Sequence, residues 1–385
     1  MTNHVFFQKG FRPFFLLGGI AAVALVPWWA FHYDEPMTGE PGLSSISWHS
    51  HEMVFGFTVA ILAGFLLTAV ENWTSRPTAR GAFLAALVML WAVGRLVGLG
   101  GAAAAIGGLA DLSFLPAVTV AIGIPLLLAN SRRNFLLLVV LPVLWMCDAY
   151  LHLVTSGLLP TTGVRTDLVA VDIVVLVMVI ITGRIVPLFT RNALADERIR
   201  SIAGLEPAAV VAVIAVAVVE VVAPGGYLMV GIAAVAGGLV LARSVRWGSQ
   251  LTLKRPILWV LHLGHAWIWF GLFLKAAAAA GLGVPPSVAT HALTAGAIGT
   301  LTLGMMVRVT LGHTGRPLRV SPLMTVAFFA VTASALLRVL GPWLRADVTR
   351  TVLVASAGCW AVAFLLYLLV NTRFLLTPRP DGKPG

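Results

Sequence analysis

Residues 205–243 read LEPAAVVAVIAVAVVEVVAPGGYLMVGIAAVAGGLVLAR, from Leu205 to Arg243. Two continuous apolar runs are separated only by Pro224-Gly225-Gly226, a tight turn. A helix rises about 1.5 Å per residue, so roughly 20 mostly apolar residues cross a hydrocarbon core about 30 Å thick. Each run is close to that length. Strands of a closed barrel would alternate every second residue; these runs do not, so helices are the expectation. The whole chain follows the same pattern. Of its 385 residues 59% are hydrophobic and only 11% charged, with mean hydropathy +0.95. Soluble domains carry about 25% charged residues, so this chain cannot cover a water-facing surface and needs a lipid bilayer around it. A soluble enzyme, a disordered chain and a disulfide-stapled secreted domain are excluded. Cys147 and Cys359 both lie in apolar runs, and no disulfide framework is implied.

Windows of spanning length predict an all-α polytopic membrane protein with about twelve transmembrane helices. They fall near 13–31, 48–70, 82–100, 111–130, 134–156, 167–188, 205–223, 226–243, 257–280, 288–311, 322–341 and 350–371. Residues 13–371 then form the membrane domain, and 1–12 and 372–385 are short tails, the latter expected to be disordered. Of the 26 Lys and Arg, 18 fall on the side that carries both termini. Three (Arg165, Arg345, Arg350) fall on the other, and five (Arg95, Arg184, Lys275, Arg308, Arg338) lie within the spans. Positive charge collects on cytoplasmic loops, so both termini are expected in the cytoplasm. The formal charge of +11 is thereby explained without a nucleic-acid partner. The first span, following Lys9 and Arg12, suits a retained signal-anchor. Gly94 and Gly98 form a GxxxG pair, read as close helix packing.

Ionisable groups inside a bilayer cost at least about 2.5–3.5 kcal/mol each for Asp, Lys or Arg, so they mark sites. Seven of the nine histidines lie in or at the ends of spans. His49 and His51 open the second span, His152 nears the end of the fifth, and His291 opens the tenth. With the topology above, these four reach one membrane level, the outer one, and are expected to ligate metal or cofactor. Asp148, four residues before His152, shares its helical face. A carboxylate beside an imidazole orients a metal-bound His, and Glu52 offers the same service to His49 or binds metal itself. His49 and His51, at i and i+2, point to nearly opposite faces of an ideal helix. They share a metal only if the helix starts irregularly. His262 and His265 form an inner pair. His313 lies near Arg308 and Arg316. Arg184 and Arg308 could pair with haem propionates or with Asp or Glu, or simply snorkel. Against ligation stands the common role of a helix-end His as a hydrogen-bonded residue. Met146, Met305 and Met306 suit packing better than copper ligation. No P-loop, HExxH, GxSxG or CxxCH is present, so any haem would be held non-covalently.

Three stretches together are distinctive: Phe11-Arg12-Pro13-Phe14-Phe15, Trp48-His49-Ser50-His51-Glu52-Met53 running on through Ala63 to Thr74, and His291-Ala292-Leu293-Thr294-Ala295-Gly296 running on through Arg308 to Pro317. On these, with Gly183-Arg184-Ile185-Val186-Pro187, the chain resembles the NnrS family along essentially its whole length. The resemblance implies a bacterial cytoplasmic (inner) membrane protein with haem b and copper, linked to nitric oxide metabolism and nitrosative-stress tolerance during denitrification. His49, His51, Glu52, Arg184, His291, Arg308 and His313 match motif positions; His152, Asp148 and His262 lie in less distinctive segments. The expected ligands of haem and copper are His49, His51, His152 and His291, with His262 as a further cofactor-binding residue. Glu52, Asp148, Arg184, Arg308 and His313 support them. Nitric oxide is the expected ligand, and a quinone or periplasmic donor the expected electron source. The alternative is a twelve-helix secondary transporter for a metal or metal–nitrosyl species, its histidines and Asp148 acting as transient ligands.

Overall fold

The computed structural model describes residues 4–33, 44–97, 101–343 and 349–383. Among them are twelve hydrophobic helices: α1 Phe11–Phe31, α2 Ser45–Thr74, α3 Gly81–Gly94, α4 Gly101–Leu128, α5 Arg132–Thr155, α6 Thr166–Leu194, α7 Leu205–Val222, α8 Gly226–Ser244, α9 Pro256–Ala279, α10 Pro286–His313, α11 Pro322–Trp343 and α12 Thr349–Leu376. Eleven are long and apolar enough to cross a bilayer; α3, with 14 residues, is shorter. The chain is therefore a polytopic all-helical membrane protein. Helix starts follow local chemistry. The Ser44 side chain accepts the Ser47 N–H at the start of α2, Ser321 does the same for Met324 in α11, and proline opens α9, α10 and α11, where no donor is lost.

The largest departure from the expected spans lies between α3 and α4. The third span was expected over 82–100, yet the helix ends at Gly94, and positions 98–100 with Gly98 lie outside the described residues. The fourth was expected from 111, but α4 starts at Gly101. Its first ten residues are mostly Ala and Gly, weakly hydrophobic but with Ala as the best helix former, so the helix extends where hydropathy fades. Asp111 thus sits inside a helix rather than at its mouth.

The described residues pack as two units. One comprises residues 1–167, 306–318 and 364–385; the other comprises 168–305 and 319–363. In the first, α1 lies along α2, and α4 packs on α2, α3 and α5. Phe11, Phe14, Phe15, Phe57 and Phe114 are fully or almost fully buried there. Arg12 is also buried: its Nη1 donates to the carbonyls of Phe374, Leu375 and Thr377 at 3.3, 2.7 and 3.0 Å. It thereby satisfies carbonyls that the end of α12 leaves without helical partners. In the second unit α8 packs on α7 and α9, and α10 packs on α9 and α11. Outward positions such as Leu109, Val211 and Leu369 are 64–70% exposed and apolar, the surface a bilayer covers.

Both α2 and α10 contain a π-helical turn, Glu52–Thr58 and Ala292–Ile298, each beginning directly after a histidine. Such turns widen the helix and re-aim the side chains at its edge, and they are frequent at functional sites.

Candidate metal centre

Four side chains from three helices of the first unit converge: His51 of α2, Asp111 of α4, and Asp148 and His152 of α5. Their ligand atoms all lie within 4.8 Å of one another. His51 Nε2 is 3.0 Å from Asp111 Oδ2 and 3.2 Å from Asp148 Oδ1; His152 Nε2 is 3.5 and 3.7 Å from the same two oxygens. A tetrahedral metal with bonds of about 2.0–2.2 Å sets its ligands about 3.3–3.6 Å apart, so these separations frame such an ion. The side chains of His51, Asp111 and Asp148 are only 4, 3 and 1% exposed, and that of His152 14%.

All four atoms are buried without a hydrogen-bond partner, although they face one another. Buried polar atoms are normally satisfied, so each such orphan needs an explanation. The charge count supplies one. Glu52, Asp111 and Asp148 bring three negative charges and Arg95 one positive, leaving −2 when the imidazoles are neutral. A divalent cation removes that excess. Two protons on the imidazoles, pairing as cations with Asp111 and Asp148, would also remove it. The donor set of two imidazoles and two carboxylates suits zinc, iron(II), manganese(II) or copper(II) rather than a soft monovalent ion.

Neighbouring residues hold the ligands. His51 Nδ1 donates to Glu52 Oε1 at 3.1 Å, which fixes the tautomer that leaves Nε2 free to ligate. Arg95 Nη2 donates to Asp111 Oδ1, so Asp111 presents Oδ2 to the centre. Arg95 Nε also lies 3.5 Å from Glu52 Oε2. Two glycines make this geometry possible. A Cβ on Gly56 would overlap Arg95 Nη1 and lie 2.8 Å from Glu52 Oε2; one on Gly94 would lie 2.8 Å from Asp111 Oδ1. Gly94 thus packs closely on α4, and the space it leaves admits the Asp111 carboxylate.

The other candidate residues lie elsewhere. Because α2 starts as a regular helix, His49 turns away from His51 and stacks on Trp29, with centroids 3.7 Å apart and rings 14° from parallel. His291, in the second unit, has both nitrogens engaged: Nδ1 donates to the Ser287 carbonyl at 2.6 Å and Nε2 accepts from Arg338 at 2.7 Å. His262 is bracketed by Thr190 and Ser249 hydroxyls, each at 2.9 Å. His265 meets Thr182 Oγ1 and the Val240 carbonyl, each at 3.2 Å. His313 packs against Phe11, and Arg184 and Arg308 are half-buried on α6 and α10; none joins the cluster. Asp148, expected to orient a ligand, presents its own oxygen to the centre. Asp111 and Arg95 carry much of the site and were not expected; an ionised residue inside an apolar helix is the signal that would have found Asp111.

The sequence model described as NnrS protein matches residues 5–379, nearly the entire chain. No curated protein matches the chain.

Proposed function

The chain belongs to the NnrS family, and from that premise we propose that it is a bacterial inner-membrane metalloprotein. Its centre, His51, Asp111, Asp148 and His152, would hold a divalent metal and bind or handle nitric oxide as part of nitrosative-stress tolerance. The observation carrying this reading is the convergence of four buried, unpartnered ligand atoms. Copper(II) accepts nitrogen and oxygen donors, so the set fits the copper that the family resemblance implies. When bound, such a metal supplies a redox-active centre for a small diatomic ligand. The chain's own residues do the rest. His51 and His152 offer neutral imidazole nitrogens, Glu52 keeps the His51 proton on Nδ1, and Arg95 holds Asp111 in place. Haem fits less well. His262, His265 and His291 have both ring nitrogens engaged by protein groups, so none turns a free nitrogen toward an iron.

The Lys and Arg asymmetry supports cytoplasmic termini. In that orientation the start of α2 and the end of α5 lie in the periplasmic half, where a quinone or a periplasmic donor could supply electrons. The test is elemental analysis of detergent-purified protein, followed by anaerobic addition of nitric oxide. One transition metal per chain, lost in Asp111→Asn and His152→Ala and spectrally perturbed by nitric oxide, is the expected result. Metal content unaffected by either substitution would sink the centre. A retained metal blind to nitric oxide would sink the proposed ligand.

A further inference from the structure

A second charged constellation, in the other unit, has no part in the metal centre. Lys275 Nζ of α9 donates to Asp172 Oδ2 of α6 at 2.6 Å and lies 2.8 Å from Glu220 Oε2 of α7. The two carboxylate side chains are only 2 and 5% exposed, and Lys275 is 15% exposed. One ammonium thus serves two buried carboxylates at the end of the unit where α6 begins and α7 and α9 finish. Fully ionised, the triad carries −1 in apolar surroundings, and an uncompensated charge there is costly.

Among the described residues, the helices packed on α7 and α9 bring no cation to the triad. α8, packed on α7 and α9, carries Tyr227, which is 95% exposed, and Arg243, at the opposite end of the helix and 3.2 Å from Glu206. α10, packed on α9, carries His291, whose ring is already bonded to Ser287 and Arg338. A metal ion is a poor candidate for the missing charge, because the Lys275 ammonium already sits against the two oxygens and would repel it.

We infer that the Asp172–Glu220–Lys275 triad is a proton-binding site that holds one proton across its two carboxylates at neutral pH. One carboxylate remains ionised and pairs with Lys275, while the other becomes a neutral acid, and the triad as a whole is uncharged. Such a group can take up and release a proton at one end of the membrane domain, as proton-coupled transport or proton-consuming reduction requires. The inference does not depend on the metal centre.

The test is infrared spectroscopy of the full-length protein in lipid, reading the carbonyl stretch of protonated carboxyl groups. The expected wild-type signal includes one protonated carboxyl that disappears in Asp172→Asn and equally in Glu220→Gln. Removing either carboxylate leaves the other to pair with Lys275 as an ion, so either variant alone decides the matter. Undiminished signal in a folded variant overturns the proposal. Thermal unfolding gives a second reading. Each single amide variant should melt close to wild type, whereas the double variant strands the Lys275 charge and should melt far lower. A large fall in both single variants would show that both carboxylates are ionised and would overturn the inference.

Discussion

The histidines of the two units differ in what surrounds them. In the first, the Nε2 atoms of His51 and His152 face carboxylate oxygens of Asp111 and Asp148 without an aligned hydrogen bond, and the constellation carries excess negative charge. In the second, His262, His265 and His291 face hydroxyls, backbone carbonyls and one guanidinium, and every ring nitrogen is engaged. An imidazole among hydroxyls and carbonyls is a satisfied buried residue. An imidazole whose free nitrogen faces two carboxylate oxygens offers, with them, a donor set that a cation can join. The number of histidines on a membrane helix therefore says little about ligation; the kind of oxygen they face says much more.

The most direct way to break this contrast is to remove a ligand. Asp111→Ala or His51→Ala should lower metal affinity more than a hundredfold, since losing an orienting partner alone costs about 10–100-fold. His262→Ala should leave metal content unchanged while unfolding more easily. Equal metal loss in both would erase the distinction. Stripping the metal with a chelator comes next. A ligand present at about 1,000 times its dissociation constant stabilises by about 4 kcal/mol, so chelation should lower the melting temperature of wild type but not of Asp111→Ala.

Smaller effects sharpen the comparison. Glu52→Gln should weaken metal binding by about 10–100-fold without abolishing it, because His51 loses its orienting acceptor but keeps Nε2. Competition with a chromophoric chelator would measure this, and unchanged affinity would remove Glu52 from the site. The smallest effect is expected at His49. His49→Ala should cost about 0.5–1.5 kcal/mol of stability from the lost Trp29 stack and leave metal content intact. Loss of metal in that variant would return His49 to the ligand set.

Parts of the site were legible in advance. Asp148 and His152 are spaced i and i+4, which places them on one face in any helix. Glu52 was expected to serve His49 or to bind metal, whereas its carboxylate accepts from the adjacent His51; charged residues in apolar runs are nonetheless costly enough to announce themselves. Asp111 escaped because hydropathy fades over the Ala- and Gly-rich residues 101–110, which made it read as a helix end. Arg95 read as one of several cations in the spans, since nothing local reveals that a glycine on another helix opens room for it. The pairing of His49 with His51 depended on how α2 begins, which local spacing leaves open.

Taken alone, the sequence determines the class of the molecule. Continuous apolar runs can only be helices in a bilayer, because lipid offers backbone groups no partners. It also supports the topology, through Lys and Arg placement, and marks the costly residues from which any site must be drawn. Which of those residues meet was decided by tertiary packing. α2, α4 and α5 bring together four ligand atoms separated by up to 101 residues, while hydroxyl-bearing neighbours satisfy the histidines of the other unit. The physical reason is that helix formation depends on near neighbours in the chain, whereas a ligand set depends on side-chain geometry within a few ångströms, which only the packing of separate helices can supply.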